Sequence, residues 1–113
     1  MLFALLVEYT GETVPEELMQ AHREWLFPRF EEGSFLISGS LDAVDDNPPS
    51  ALAIFTADNL EEARALADNE PFFRAGACRH RVVPFNVRVR ASGLDSAFTD
   101  DTKVLAAHQP LAG

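Results

Sequence analysis

The sequence predicts an α+β fold in which strands and helices alternate as β-α-β-β-α-β. Three observations carry this reading. Four apolar runs have the length of strands. Two stretches place apolar residues three and four positions apart. Clusters of Gly, Pro, Asp and Asn separate them. Leu2 to Tyr9 is the first run, apolar with a β-branched residue and an aromatic, and it reads as a buried strand broken by Gly11. Thr13 and Glu16 have capping-box spacing, and Pro15 suits a first helical turn. The helix they open reaches about Arg29, with Leu18, Ala21, His22, Trp25 and Leu26 along one stripe. Pro28 lacks a backbone donor, so a kink or an end is expected there, and Gly33 is the stop. Ser34 to Leu41 is the second strand, and Gly39 in its interior points to a bulge. Asp42 to Ser50 is a loop rich in Asp, Asn and Pro. Ala51 to Thr56 is the third strand. Asp58 with Glu61 forms a second cap, and Leu60, Ala63, Leu66 and Ala67 carry a short helix to about Asp68, ended by Pro71. Arg79 to Arg90 reads as a long fourth strand, and Pro84 places it at an edge or a bulge.

This order is the ferredoxin-like one, an antiparallel sheet with both helices on one face. Residues 1–90 form that domain. Residues 91–113 form a tail, in which Thr99 or Asp100 caps a possible short helix through Val104, Leu105 and His108. The tail either packs on a partner subunit or is partly disordered. Leu2, Phe3, Leu5 and Leu6 are apolar on both faces of the first strand, so the uncovered face calls for a partner. A second copy, sheet against sheet, is the simplest one.

The chain has 113 residues, enough for one core. Nine basic against eighteen acidic residues give 9 − 18 = −9, a surface that repels nucleic acid and anionic membranes. No apolar run approaches the roughly 20 residues that span a bilayer. The segment before Tyr9 lacks a basic n-region and a cleavage site, so no signal peptide is expected. The single cysteine, Cys78, has no internal disulfide partner, which fits a reducing cytoplasm.

Three places can carry chemistry. His22 shares the inward stripe of the first helix and titrates in the range of acid–base work, although a histidine bonded to backbone or water is the plainer alternative. The segment Asp68 to Gly76 gathers carboxylates, two aromatics and an arginine. Pro71 holds Glu70 extended, so its carboxylate has a defined direction and can set the tautomer of an imidazole. Phe72 and Phe73 can wall a pocket, and Arg74 can hold a ligand carboxylate or enolate. An ordinary helix end over two core phenylalanines is the other reading. Ser38, Gly39 and Ser40 offer small hydroxyls and backbone N–H groups to an oxyanion, or else a strand bulge. Cys78 beside Arg79, His80 and Arg81 reads as a buried thiol before a reactive one. His22, His80 and His108 fall in separate elements without metal-ligand spacing, and the Asp42, Asp45, Asp46 loop reads as solvated, so no metal is expected. No phosphate-binding loop, nucleophile elbow or dinucleotide fingerprint is present.

These residues in this order resemble the YCII-related (YciI-like) family. The resemblance runs over residues 1–90 through the N-terminal apolar strand, Ala21-His22, Trp25-Leu26, Gly33, Ser38-Gly39-Ser40 and Glu61-Glu62-Ala63. Glu70-Pro71-Phe72-Phe73-Arg74-Ala75-Gly76 and Val83-Pro84-Phe85 complete it. It implies a ferredoxin-like domain paired as a dimeric α-β barrel. It also implies an active site built on the first-helix histidine and an aspartate before Pro-Phe. Family members include a dehydrochlorinase acting on a chlorinated hydroxyquinol. This chain departs at Glu70, where the family has Asp, at Ser40, where Pro is common, and at Met19, where an arginine is common.

The expectation is therefore a cofactor-independent lyase or isomerase moving protons on a small cyclic or aromatic metabolite. His22 is the base or acid and Glu70 its orienting carboxylate. Gly39 and Ser40 serve as oxyanion donors, Trp25, Phe72 and Phe73 as the apolar wall, and Arg74 as a ligand clamp. The competing expectation is a non-catalytic module that binds a small molecule or assists another protein in the same dimer. A cofactor-free oxygenase would rest on fold analogy alone.

Overall fold

The computed structural model describes residues 1–11, 14–48, 50–98 and 100–105. The elements run β1 (Leu2–Tyr9), α1 (Glu16–Glu31), β2 (Phe35–Leu41), β3 (Ser50–Thr56), α2 (Leu60–Asp68), α3 (Pro71–Arg74) and β4 (Cys78–Pro84). The strands form one sheet of order β2-β3-β1-β4, with every neighbouring pair antiparallel. This is the expected α+β, ferredoxin-like topology.

The core follows from strand alternation. Phe3 and Leu5 on β1, Ala53 and Phe55 on β3, and Phe35 on β2 face the helices and are buried, together with Leu26 of α1 and Ala63 and Ala67 of α2. Phe3 stands opposite Phe55 in the β1–β3 register, and both are fully buried. Phe35 stacks on Phe55 at 5.0 Å, and Trp25 meets Phe35 edge-on at 5.6 Å. The two alanines let α2 lie close to the sheet. The other face of the sheet carries Leu6 and, more exposed, Ile37 and Leu41, at 43% and 46% exposure.

Several details differ from the sequence reading, each for a local reason. Thr13 lies outside the described residues, and the N-cap position of α1 is Pro15, with no side-chain cap bond. Pro28 is accommodated inside α1, which continues to Glu31. Gly33, at φ 84°, then closes it. Ser34 N–H donates to the Arg29 carbonyl and Gly33 N–H to the Phe30 carbonyl, both at 3.0 Å, the Schellman pattern of a glycine stop. The irregularity in β2 lies between Phe35 and Ile37, whereas Gly39 pairs regularly with Leu52. The N-cap of α2 is Asn59, whose side chain accepts from Glu62 N–H at 2.9 Å, one residue after the expected Asp58. Pro71 does not merely end α2; it opens the single turn α3.

β4 stops at Pro84, well short of Arg90. Among the described residues its only neighbour is β1, which begins at Leu2, so the chain beyond Phe85 has run past its partner. Pro84 thus sits at the end of an edge strand, where its missing donor is harmless. In the tail a 3₁₀ turn forms at Leu94–Ala97, and 100–105 are not helical. Thr99 and His108 lie outside the described residues. The Lys103 ammonium sits 5.3 Å over the Phe27 ring, so this stretch returns to α1 of its own chain.

The aromatic centre sets a stability prediction. Phe55→Ala removes a fully buried ring and should cost about 3–5 kcal/mol in urea denaturation. Val89→Ala, at a position 90% exposed, should stay within about 0.5 kcal/mol.

Candidate active site

Glu70 is buried, only 6% exposed, and both of its carboxylate oxygens are engaged. Pro71 keeps Glu70 extended, at φ −66° and ψ 132°, and provides the first residue of α3. Glu70 is the N-cap of that turn, and its Oε2 accepts from Phe73 N–H at 3.0 Å. Its Oε1 lies 2.7 Å from His22 Nδ1 of α1. A carboxylate only accepts, so Nδ1 carries the proton and Nε2 is left as the free ring nitrogen. The His22 ring stacks on Phe72 at 4.4 Å and 17°. The glutamate side chain is long enough to close the contact.

The pair borders a cavity of about 210 Å³ between α1 and the sheet. His22, Trp25, Gly39, Ser40, Glu70 and Phe72 all line it, so six of the eight expected residues converge. Phe73 and Arg74 do not. Successive residues of a helical turn diverge by about 100°. Phe72 therefore faces His22 while Phe73 turns the other way and stacks on His80 at 4.0 Å. Arg74, at the end of α3, is exposed.

Sequence reasoning passed over Tyr9, which also lines the cavity, as do Ser38 of the expected small-residue run and Met19. The alternation of β1 through Phe3, Leu5 and Val7 puts Tyr9 on the helix-covered face, a signal that was available. Ser38 and Ser40 stand opposite Ala53 and Ala51 on that same face. Gly39, between them, turns its bare Cα to the opposite, open face of the sheet, where nothing beyond its chain neighbours lies within 4 Å of where a Cβ would stand.

Tyr9 meets Phe72 edge-on at 6.0 Å. Burial, helped by Cys78 and Glu70, raises its hydroxyl above the ordinary 10.0. Burial, with Glu70 nearby, also pushes the Cys78 thiol up to about 11. Both are thus protonated at neutral pH, and Cys78 is not an activated nucleophile. A wider hollow of about 830 Å³ lies across the open sheet face and is bordered by Leu6, Leu41, Val44, Arg79 and Arg81. It does not hold the His22–Glu70 pair, so size alone does not mark the reactive site. Among the described residues no group of three His, Cys, Asp or Glu is placed to hold a metal ion.

The YCII-related domain matches residues 1–86. The YciI proteins of Escherichia coli O6:H1 and Shigella flexneri are each 34% identical over 95 residues, covering 75% of this chain and 96% of each of those proteins. The chain belongs to the YCII-related family. Every cavity-lining residue falls inside the YCII-related span. Among solved structures, the fold is similar to 5-chloro-2-hydroxyhydroquinone dehydrochlorinase from Burkholderia phenoliruptrix in complex with 2,5-dihydroxybenzoquinone. The TM-score is 0.55 at 21% identity, covering 76% of this chain and 94% of that one.

The two raised groups make stability depend on alkaline pH. The folded YCII-related domain holds the Cys78 and Tyr9 protons more tightly than the unfolded chain does. The Cys78 contribution is complete below the ordinary thiol value of 9.0 and is lost as the pH rises toward about 11, and the Tyr9 contribution begins to be lost only above its ordinary 10.0. The thermal midpoint should fall across that window, and Cys78→Ala should make the fall shallower.

Proposed function

We propose that this protein is a cofactor-independent enzyme of the lyase or isomerase type, transferring protons on a small cyclic or aromatic metabolite. The observation that carries the reading is the 2.7 Å contact between His22 Nδ1 and the buried Glu70 carboxylate at the edge of an apolar cavity. With Nδ1–H held by Glu70, Nε2 takes a proton from the substrate, and the carboxylate stabilises the imidazolium that forms. The electron pair left on the substrate moves onto a conjugated oxygen. The hydroxyls of Ser38, Ser40 and Tyr9 are the neutral donors available to it. In an isomerisation the proton returns at another atom. In an elimination the pair forms a double bond and expels the leaving group. Trp25 and Phe72 supply flat apolar walls. A volume of about 210 Å³ lies below the range typical of drug-sized ligands, so the ligand is small. The reaction of the structurally similar dehydrochlorinase belongs to this chemical class, which supports the reading.

The second reading, a binding module without turnover, draws on Met19. An apolar thioether lines the cavity where family relatives commonly carry an arginine, and no Arg or Lys lines it among the described residues. In either reading a second copy covers the open sheet face, since Leu6, Ile37 and Leu41 leave it apolar. The net charge of −9 disfavours nucleic acid as a partner, and a lone unpaired Cys78 suits the cytoplasm.

2,5-Dihydroxybenzoquinone is the probe for the site. The enzyme reading predicts that the protein binds it and speeds exchange of its ring protons with deuterated solvent. His22→Ala should lower that exchange by about 10²–10⁴-fold with the far-UV spectrum unchanged. Binding that persists with no accelerated exchange in the native protein would favour the binding module. For the dimer, sedimentation should show a two-chain species, and Leu6→Arg should convert it to a monomer. A native monomer would remove the paired-sheet arrangement.

A further inference from the structure

The turn that presents Glu70 carries a second histidine–carboxylate pair on its far side. His80 Nε2 lies 3.0 Å from Asp68 Oδ1, and the His80 ring stacks on Phe73. The His80 side chain is only 7% exposed, whereas Asp68 is 57% exposed. His80 stands opposite Val7 on the helix-covered face of β4, two residues from each of Cys78 and Val82. An apolar side chain would satisfy that position, and a buried imidazole there needs a bonded partner to offset its desolvation. Asp68 is that partner, and because a carboxylate accepts, His80 Nε2 carries the proton.

The two pairs are nested along six residues, the contacts of His80 bracketing those of His22. Asp68 and Phe73 are held by His80 from β4. Glu70 and Phe72 are held by His22 from α1. C-terminal to Glu70 the backbone is tied by Ala77 N–H to the Phe72 carbonyl at 2.8 Å, and by Thr10 Oγ1 to the Gly76 carbonyl at 2.9 Å. On the N-terminal side Glu70 N–H reaches the Ala67 carbonyl at 3.1 Å, which ties Glu70 to the end of α2. The His80–Asp68 bond ties that end to the sheet by a side-chain hydrogen bond, beside the apolar packing of Ala67.

We infer that His80 and Asp68 are positioning residues that hold the Glu70 carboxylate against His22. They act through the turn and touch no part of the cavity. The catalytic meaning of this inference rests on the proton-transfer reading of His22 and Glu70. Its geometric content is read without turnover.

The test uses the full chain and the ring-nitrogen NMR signals of His22, which report its tautomer. Native protein should show His22 in the Nδ1–H form. Asp68→Ala should move the signals toward a tautomer mixture. Asp68→Asn, whose amide oxygen still accepts from His80, should restore the native pattern. His80→Ala should match Asp68→Ala, and because Asp68 is exposed, Asp68→Ala keeps the test alive if loss of the buried ring unfolds the protein. With 2,5-dihydroxybenzoquinone, Asp68→Ala should slow ring-proton exchange by about 10- to 100-fold while leaving its Kd unchanged. A native His22 signal in a folded Asp68→Ala protein would overturn the positioning role and leave the proton-transfer reading standing. Native His22 outside the Nδ1–H form would overturn both. Positioned signals with no exchange in the native protein would remove the proton-transfer reading alone.

Discussion

The site depends on one constraint: a carboxylate has been taken out of water. Glu70 is almost wholly buried, and an ion in that position is tolerated only when its oxygens are bonded. One oxygen caps α3 and the other meets His22. The geometry of the turn, the approach of α1 and the orientation of the imidazole are three aspects of the same requirement. The residues that meet it are ordinary. A proline fixes the backbone before a single helical turn, one backbone N–H is offered, and one histidine comes from across the core.

The sheet provides the frame. β1 lies between β3 and β4, and its inward row runs from the aromatic core at Phe3 to the cavity at Tyr9. Along that row the interior changes from close-packed rings to open space, because Ser38 and Ser40 face Ala53 and Ala51 where larger side chains would fill it. The cavity is a place where the core is left unfilled, at the end of the sheet where α1 and α3 meet.

Much of this was legible in the sequence, and the exceptions have physical reasons. Element order follows from periodicity, and six of the residues that line the cavity were singled out from residue type and spacing. The limit of β4 was not legible because a strand ends where its partner does, and Leu2 lies far from Pro84 in sequence. The cap of α2 was misread by one residue because Asp58 and Asn59 are both good caps, and only the backbone decides between them. Phe72 and Phe73 were assigned to one wall because neighbouring phenylalanines look alike in sequence. A four-residue helix sends them to opposite sides.

That divergence has a consequence for how the family's sequences can change. Between Asp68 and Phe73 the outer two side chains contact β4 and the inner two, Glu70 and Phe72, contact α1, so the segment is read by its phase as well as by its chemistry. Replacing one side chain removes one contact. Adding or deleting a single residue would hand each partner the wrong side chain, setting Phe72 or Phe73 against the opposite histidine. Insertions and deletions should therefore be excluded from this stretch even where single substitutions are accepted.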